Sequence, residues 1–279
     1  MKNGPKPSSQ PSVARNRRWR TIFIAGLLLL VVVIAVAAAT TAAGREEPAA
    51  IVIRIDDIQD YAFKEAQLFL LDVSATSEVP VSLAVIAGMF GEDTELVKRV
   101  KLSLNSGSEI AVHGWRHEDL ATLPFEDQVR LLSKSRNRIG QTLDVDTSVL
   151  VPPMFSFSED TVAAMRQEGY SIISTTKDYV EPGLISEVVS LPATVELSDY
   201  ANGIWKMKSL DSVVAGVSDS VQKYGYAVVV THPQEFTEDV KLNQVNVELY
   251  QDLIDTLKDT YSFETLESIG DKWPLDSSK

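Results

Sequence analysis

The sequence contains no cysteine. That excludes disulfide bonds and thiolate metal ligands, so an apolar core must supply the stability and any metal must be held by nitrogen and oxygen. Acids are absent from the first 45 residues, Glu46 being the first, and the whole chain of 279 residues has only three histidines. All 39 acids lie beyond Arg45, against 19 of the 26 basic residues, which gives that part a formal charge of −20. Such a field argues against nucleic acid or anionic lipid as a partner of the domain. It suits solubility in salt, or a neutral or cationic glycan. No internal repeat is present.

The opening stretch has its own logic. Residues 1–20 form a basic tail with Lys2, Lys6, Arg15, Arg17, Arg18 and Arg20, and residues 21–43 are uncharged and almost wholly apolar. That length reaches the ~20 residues of a membrane-spanning helix. The basic flank predicts a single-pass signal-anchor with its N-terminus in the cytoplasm and the following domain outside the membrane. The alternative is a cleaved signal peptide, with Ala37-Ala38-Ala39 as the small-residue site and a secreted product. Residues 44–49 read as a short linker, 50–273 as one domain and 274–279 as a tail.

Within the domain, short β-rich runs alternate with helical patterns. Strands are expected at 51–55, 80–86, 109–112, 148–151, 170–174, 188–191, 203–207 and 226–230. Helices are expected at 62–76, 94–104, 125–143, from Ser158 to Gln167, from Ser209 to Tyr224, and at 245–257. This alternation predicts parallel βα units closed into a distorted (β/α)7-type barrel, an α/β fold behind an N-terminal transmembrane helix. Such barrels carry their active sites at the C-terminal ends of the strands.

Asp56, Asp57, His113 and His232 all follow predicted strands directly. Adjacent carboxylates at a strand end repel unless a cation or proton intervenes. Asp56-Asp57-Ile58-Gln59-Asp60 also matches a D-D-x-x-D magnesium-diphosphate pattern, but that pattern belongs to helices and here a strand leads into the pair. His113 and His117 are four apart, with Gly114 where a zincin helix would have glutamate. Neutral imidazole and carboxylate are the usual ligands of a zinc-like ion with a position left for water. Glu118 or Asp119 is a candidate acceptor to fix a ring tautomer. Pro152-Pro153-Met154-Phe155 reads as a stiff rim loop that aims a backbone N–H at an oxyanion. Trp115, Phe155, Phe157, Tyr179 and Trp205 are candidates to stack on a sugar, with ordinary packing as the alternative.

In this order the motifs resemble the polysaccharide deacetylase family, metal-dependent esterases that remove N-acetyl groups from chitin-like and peptidoglycan-like glycans. Arg54-Ile55-Asp56-Asp57, His113-x-x-x-His117, Val151-Pro152-Pro153-Met154-Phe155 and Val230-Thr231-His232 carry the resemblance, over most of 51–263. It implies a divalent ion, zinc or a similar first-row metal, held by Asp57, His113 and His117. It implies Asp56 as the general base and His232 as the general acid. Pro153, Met154 and Phe155, with Trp115 and Trp205 from the stacking candidates, are the expected substrate contacts, and an acetylated amino-sugar polysaccharide or related surface glycan is the implied partner. Two elements of the family pattern are missing. Val151 stands where an arginine usually orients the base, leaving Arg54 and Arg116 as candidates to replace it. No aspartate–tryptophan motif follows Ser174-Thr175-Thr176, and Asp178 is the nearest substitute for the group that supports the acid. A catalytically silent glycan-binding domain, or a metal hydrolase acting on another C–N or glycosidic bond, are the alternatives these gaps leave open.

Overall fold

In the computed structural model, residues 49–239 and 241–272 are described, together with Met1 and Gly4. The expected membrane span at 21–43 and the tail at 274–279 lie outside the described residues. Among the described residues no helix is long and apolar enough to cross a membrane. The chain divides into Met1–Glu47 and Pro48–Lys279, and every described helix and strand belongs to the second unit.

In chain order the elements are β1 (Ala50–Ile58), α1 (Lys64–Ser77), β2 (Ser82–Val85), α2 (Thr94–Asn105), β3 (Glu109–Val112), α3 (Phe125–Leu143), β4 (Val149–Leu150), α4 (Glu159–Gln167) and β5 (Ile172–Ile173). There follow β6 (Gly183–Ile185), β7 (Val188–Ser190), β8 (Val195–Glu196), β9 (Ser198–Ala201), β10 (Ile204–Met207), α5 (Leu210–Tyr224) and β11 (Tyr226–Thr231). The last are β12 (Thr237–Glu238), β13 (Lys241–Leu242), α6 (Gln244–Lys258), β14 (Ser262–Phe263) and α7 (Leu266–Lys272). Helix starts follow local chemistry. The Ser158 side chain accepts the Thr161 amide while the Thr161 hydroxyl accepts the Ser158 amide, and Ser209 accepts from Ser212. Each satisfies a donor that the helix itself leaves free.

The main sheet runs β6-β7-β5-β4-β3-β2-β1-β11-β8, with β14 added to β1. Its pairs are parallel except β6–β7. It is an α/β fold whose sheet curls into a half-barrel, the coarse form of the distorted barrel expected from the sequence. One segment links its two ends. Leu191 and Ala193 donate to Ile173 and Thr175 beside β5, then Thr194 and Leu197 donate to Val228 and Val230 in β11. Pro192 interrupts the strand between these halves, since proline has no N–H to give a ladder. The expected strand at 203–207 exists, but it pairs with β9 in a separate hairpin outside the sheet.

Period-two alternation sorts the strand residues onto two sides. Ile51, Ile53 and Ile55 face the helices in the larger apolar cluster. Val52, Ala84, Ala111, Val149, Val151, Ile172, Leu191, Val228 and Val230 fill the inside of the curl. Arg54 and Asp56 share the parity of Val52, and both are fully buried. The end of the curl where the strands start is stopped by α7, whose Leu266 and Ile269 join the inner cluster. The fit is close, since a Cβ at Gly270 would lie 2.5 Å from Ile172 Cδ1. Glu109 Oε1 accepts from the Leu266 amide at 2.8 Å, and its Oε2 accepts from the Glu267 amide at 2.9 Å. The opposite end stays open.

Candidate active site

The open end is built by strand ends that turn sharply. The β1–β2 register shifts between Ile55 and Ile58, and Asp57 within that irregularity has φ 62°. A bulge of this kind re-aims one side chain. Asp56 therefore stays on the inner face while Asp57 swings toward the next loop. His117, Met154 and Phe155 also have left-handed φ, at 65°, 53° and 56°. Non-glycine residues held this way concentrate at sites where the surroundings over-determine the backbone. Gly114 has φ 73°, and a Cβ there would lie 3.0 Å from Pro153 Cγ and 3.1 Å from Glu118 Oε2. Only glycine lets the histidine loop pass this close to the proline loop.

Asp57, His113 and His117 converge. One donor atom from each lies within 4.8 Å of the others. Asp57 Oδ1 is 3.3 Å from Nε2 of both His113 and His117. His113 Nδ1 lies 2.8 Å from the Val151 carbonyl oxygen. A carbonyl only accepts, so Nδ1 carries a proton, and it is Nε2 that faces Asp57. Burial and the neighbouring His113 hold His117 below the ordinary histidine range. Asp57 Oδ1 is buried without a hydrogen-bond partner, while its Oδ2 accepts from Gln234 Nε2 at 2.7 Å. Burial would raise the Asp57 carboxyl, but His113 and Gln234 bring it well below the carboxylate range. Three lone-pair donors facing one point, one of them a buried orphan, is an arrangement that a divalent cation completes.

Asp56 sits beside this cluster with its charge compensated. Arg54 Nε and Nη2 donate to its Oδ1 and Oδ2 at 2.9 and 2.8 Å, a bidentate pair. The remaining guanidinium nitrogen, Nη1, donates to the carbonyls of Ser174 and Thr175 and to the Ser174 hydroxyl. A fully buried arginine is tolerable only when its fork is satisfied in this way. Phe155 covers the guanidinium, its ring centroid 5.4 Å from Cζ. Arg54 thus takes the place of the missing arginine from two residues away on the same strand. Arg116 is exposed and does not take that role.

His232 ends β11. Its Nε2 lies 3.9 Å from Asp56 Oδ2, and its Nδ1 is 2.8 Å from Glu235 Oε1. The other Glu235 oxygen accepts from the Thr231 hydroxyl at 2.8 Å. Burial alone would lower the His232 pKa, but the Glu235 bond and the charges of Asp56, Glu235 and Asp57 leave it raised. Trp205 lies over the ring with centroids 4.7 Å apart, and Tyr200 lies over Trp205 at 4.7 Å.

The five side chains meet at one cavity of about 540 Å³, which Met154, Phe155 and Trp205 also line. Two expected substrate contacts lie elsewhere. Trp115 is turned outward, with Lys134 Nζ 3.5 Å from its ring centroid, in a separate surface groove beside α3. The Gly114 turn reverses the chain between His113 and Trp115 and sends the two side chains apart. Pro153 is buried behind the rim, against Gly114. Phe157 packs against the core and Tyr179 is exposed away from the cavity. Glu118 does not fix a ring tautomer, since its Oε2 accepts from the amides of Trp115 and Arg116. Asp178 is exposed, and Glu235 supports His232 in its place. Glu235 had a readable signal. Pro233 opens a 3-10 turn over Pro233–Phe236, which brings residues three apart onto one side. Gln234, Tyr200 and Glu196 reach the cavity with no comparable signal.

Residues 43–173 match the family model for polysaccharide deacetylases. No curated protein sequence matches the chain. Among solved structures, a protein from Mycobacterium smegmatis proposed to be a polysaccharide deacetylase is similar with TM-score 0.64 and 14% identity, over 81% of this chain and 91% of that one. A peptidoglycan N-acetylglucosamine deacetylase gives TM-score 0.57 and 19% identity, over 81% of this chain and 89% of that one. A family 4 acetyl xylan esterase from Clostridium thermocellum, in complex with a cobalt ion, gives 0.56 and 15%, over 79% and 89%. At these identities the structural likeness establishes the fold.

Proposed function

The chain is similar to the polysaccharide deacetylase family, in sequence over 43–173 and in fold over the domain, and from that premise we propose that it is a metal-dependent hydrolase removing N-acetyl groups from the amino sugars of a cell-surface glycan. One observation carries the reading. The orphaned Asp57 Oδ1 lies between two imidazole nitrogens, on the cavity that also receives Asp56 and His232. The two elements absent from the family pattern each have a replacement, Arg54 for the base and Glu235 for the acid. That supports an enzyme over a silent binding domain.

Asp57, His113 and His117 would hold the ion. When bound there, a divalent metal supplies Lewis-acid polarisation of the acetyl carbonyl and a lowered pKa for the attacking water. Asp56 takes the water's proton, and the Arg54 fork fixes the orientation of its carboxylate. Water oxygen bonds to the carbonyl carbon, the C–N bond breaks, and His232 gives its proton to the departing nitrogen. The products are acetate and a free sugar amine. Glu235 and Asp56 both favour the protonated imidazole before that transfer. Of the two amides considered for the oxyanion, Phe155 N–H is used by the Pro152 carbonyl. Met154 N–H, which makes no bond among the described residues, is the one left to meet the carbonyl oxygen. Tyr200, the exposed outer ring of the stack on Trp205, offers the sugar an apolar face.

The basic tail and apolar segment ahead of the domain support placing it outside the cytoplasmic membrane, anchored or secreted. Protease accessibility of the domain in intact cells tests this. The purified protein is expected to bind about one divalent ion and to release acetate from acetylated amino-sugar oligomers. His113→Ala is expected to lose the ion and on the order of 10³-fold in kcat/KM. Full metal content in that variant, by elemental analysis, overturns the assignment.

A further inference from the structure

The cavity lining contains four carboxylates and no lysine or arginine. Three of the four are already compensated. Asp56 is paired with Arg54, Asp57 belongs to the metal set, and Glu235 is bonded to His232 and Thr231. The fourth is Glu196. Among the described residues its side chain has no hydrogen bond and no ion pair. It lies at the end of β8, where its Cα partner is Val230, two residues before His232. It is half-buried, and so neither freely solvated nor matched. Beyond it the chain enters β9, which carries Tyr200, and returns as β10, which carries Trp205. The acid therefore shares the His232 side of the cavity with two stacked aromatic rings.

A partly desolvated carboxylate beside aromatic faces is a site for a cation. The carboxylate supplies charge and acceptor oxygens, and the rings attract an ammonium through their faces. The lining offers no lysine or arginine to pair with anionic sugars, and the charge of −20 on the domain repels them. We propose that Glu196, with Tyr200 and Trp205, forms a subsite for a protonated sugar amine, so that the preferred substrate is an amino-sugar polymer already partly deacetylated beside the residue under attack. The inference rests on the deacetylase reading and names its substrate class. It also makes each product amine a recognition element for the next turnover on the same chain.

The test compares two acetylated amino-sugar oligomers of equal length, one fully acetylated and one carrying free amines next to an acetylated residue. It is run on the whole protein, at a pH where the amines are charged. Wild type is expected to show a KM about threefold to tenfold lower on the partly deacetylated oligomer. In Glu196→Gln that ratio collapses to about one, and Glu196→Asp keeps part of it. In wild type alone, high salt or a pH above the amine's own pKa is expected to erase the preference, which tests the subsite even if the variants fold poorly. Equal KM values for the two oligomers in wild type, or a KM ratio that survives Glu196→Gln unchanged, overturns the proposal. Calorimetric titration with a fully deacetylated oligomer separates the two readings. Binding that needs Glu196, without turnover of any oligomer, retains the subsite and sinks the hydrolase. Turnover without charge preference retains the hydrolase and sinks the subsite.

Discussion

The two ends of the curled sheet bury carboxylates in the same apolar interior and treat them in opposite ways. At the closed end Glu109 accepts from the Ser82 hydroxyl at 2.6 Å and from the first amides of α7. Both of its oxygens are matched, and the helix seals the end. At the open end Asp57 keeps one matched oxygen and one buried orphan, flanked by lone pairs. Buried polar groups are ordinarily satisfied. An end where every group is matched is structure. An end where the mismatch falls among nitrogen and oxygen donors is a place that a cation would fit.

The largest expected effect breaks the open end from beneath. Arg54→Met leaves the buried Asp56 carboxyl without its partner, and is expected to cost about 3–5 kcal/mol of stability. Thermal unfolding measures it, and an unchanged Tm would show that Asp56 is not held in the way the geometry indicates. A smaller effect sharpens the comparison at His232. Glu235→Gln removes the charge that keeps the imidazole protonated and is expected to lower kcat about 10- to 100-fold. Because the His232 pKa is raised in the fold, wild-type activity is expected to persist above the ordinary histidine range as pH rises. In the variant the alkaline limb of the kcat profile is expected to move to lower pH, and a limb that stays in place argues against the role.

The effect at the closed end is on stability alone and depends on pH. Burial raises the Glu109 carboxyl from 4.5 to about 7, against its bonds from Ser82 and the α7 amides. Between those values the folded protein holds a proton that the unfolded chain has released. This contribution to stability is fully present below 4.5 and is lost as pH rises through about 7. The stability difference between wild type and Glu109→Gln is expected to shift by up to about 3 kcal/mol across that window, without change in metal content. Denaturant unfolding at several pH values reads it. A flat difference would mean that the backbone amides keep Glu109 ionised throughout.

Much of this was legible because the signals are local. Alternation set Ile53 and Ile55 apart from Arg54 and Asp56, and the α3 limits and the caps at Ser158 and Ser209 followed from periodicity and hydroxyl placement. The strand ends after which Asp56, His113 and His232 fall were likewise readable. The α7 plug was not, because seven residues carry too little periodicity to be recognised. Nor was the division of labour in the histidine loop, where a single left-handed glycine turns His113 inward and Trp115 outward.

By itself the sequence determined which residue types exist for chemistry: three imidazoles, a paired aspartate, and no thiol. It also determined their order along parallel strands, since hydrophobic period is a property of neighbours in the chain. Only the tertiary structure decided which group supports which. Arg54 clamps Asp56 across one strand, Glu235 orients His232 through a proline-started turn, and Gln234 reaches Asp57 over 177 residues of chain. Those pairings depend on distances of a few ångströms between remote segments, and such distances exist only once the curl has closed around its interior.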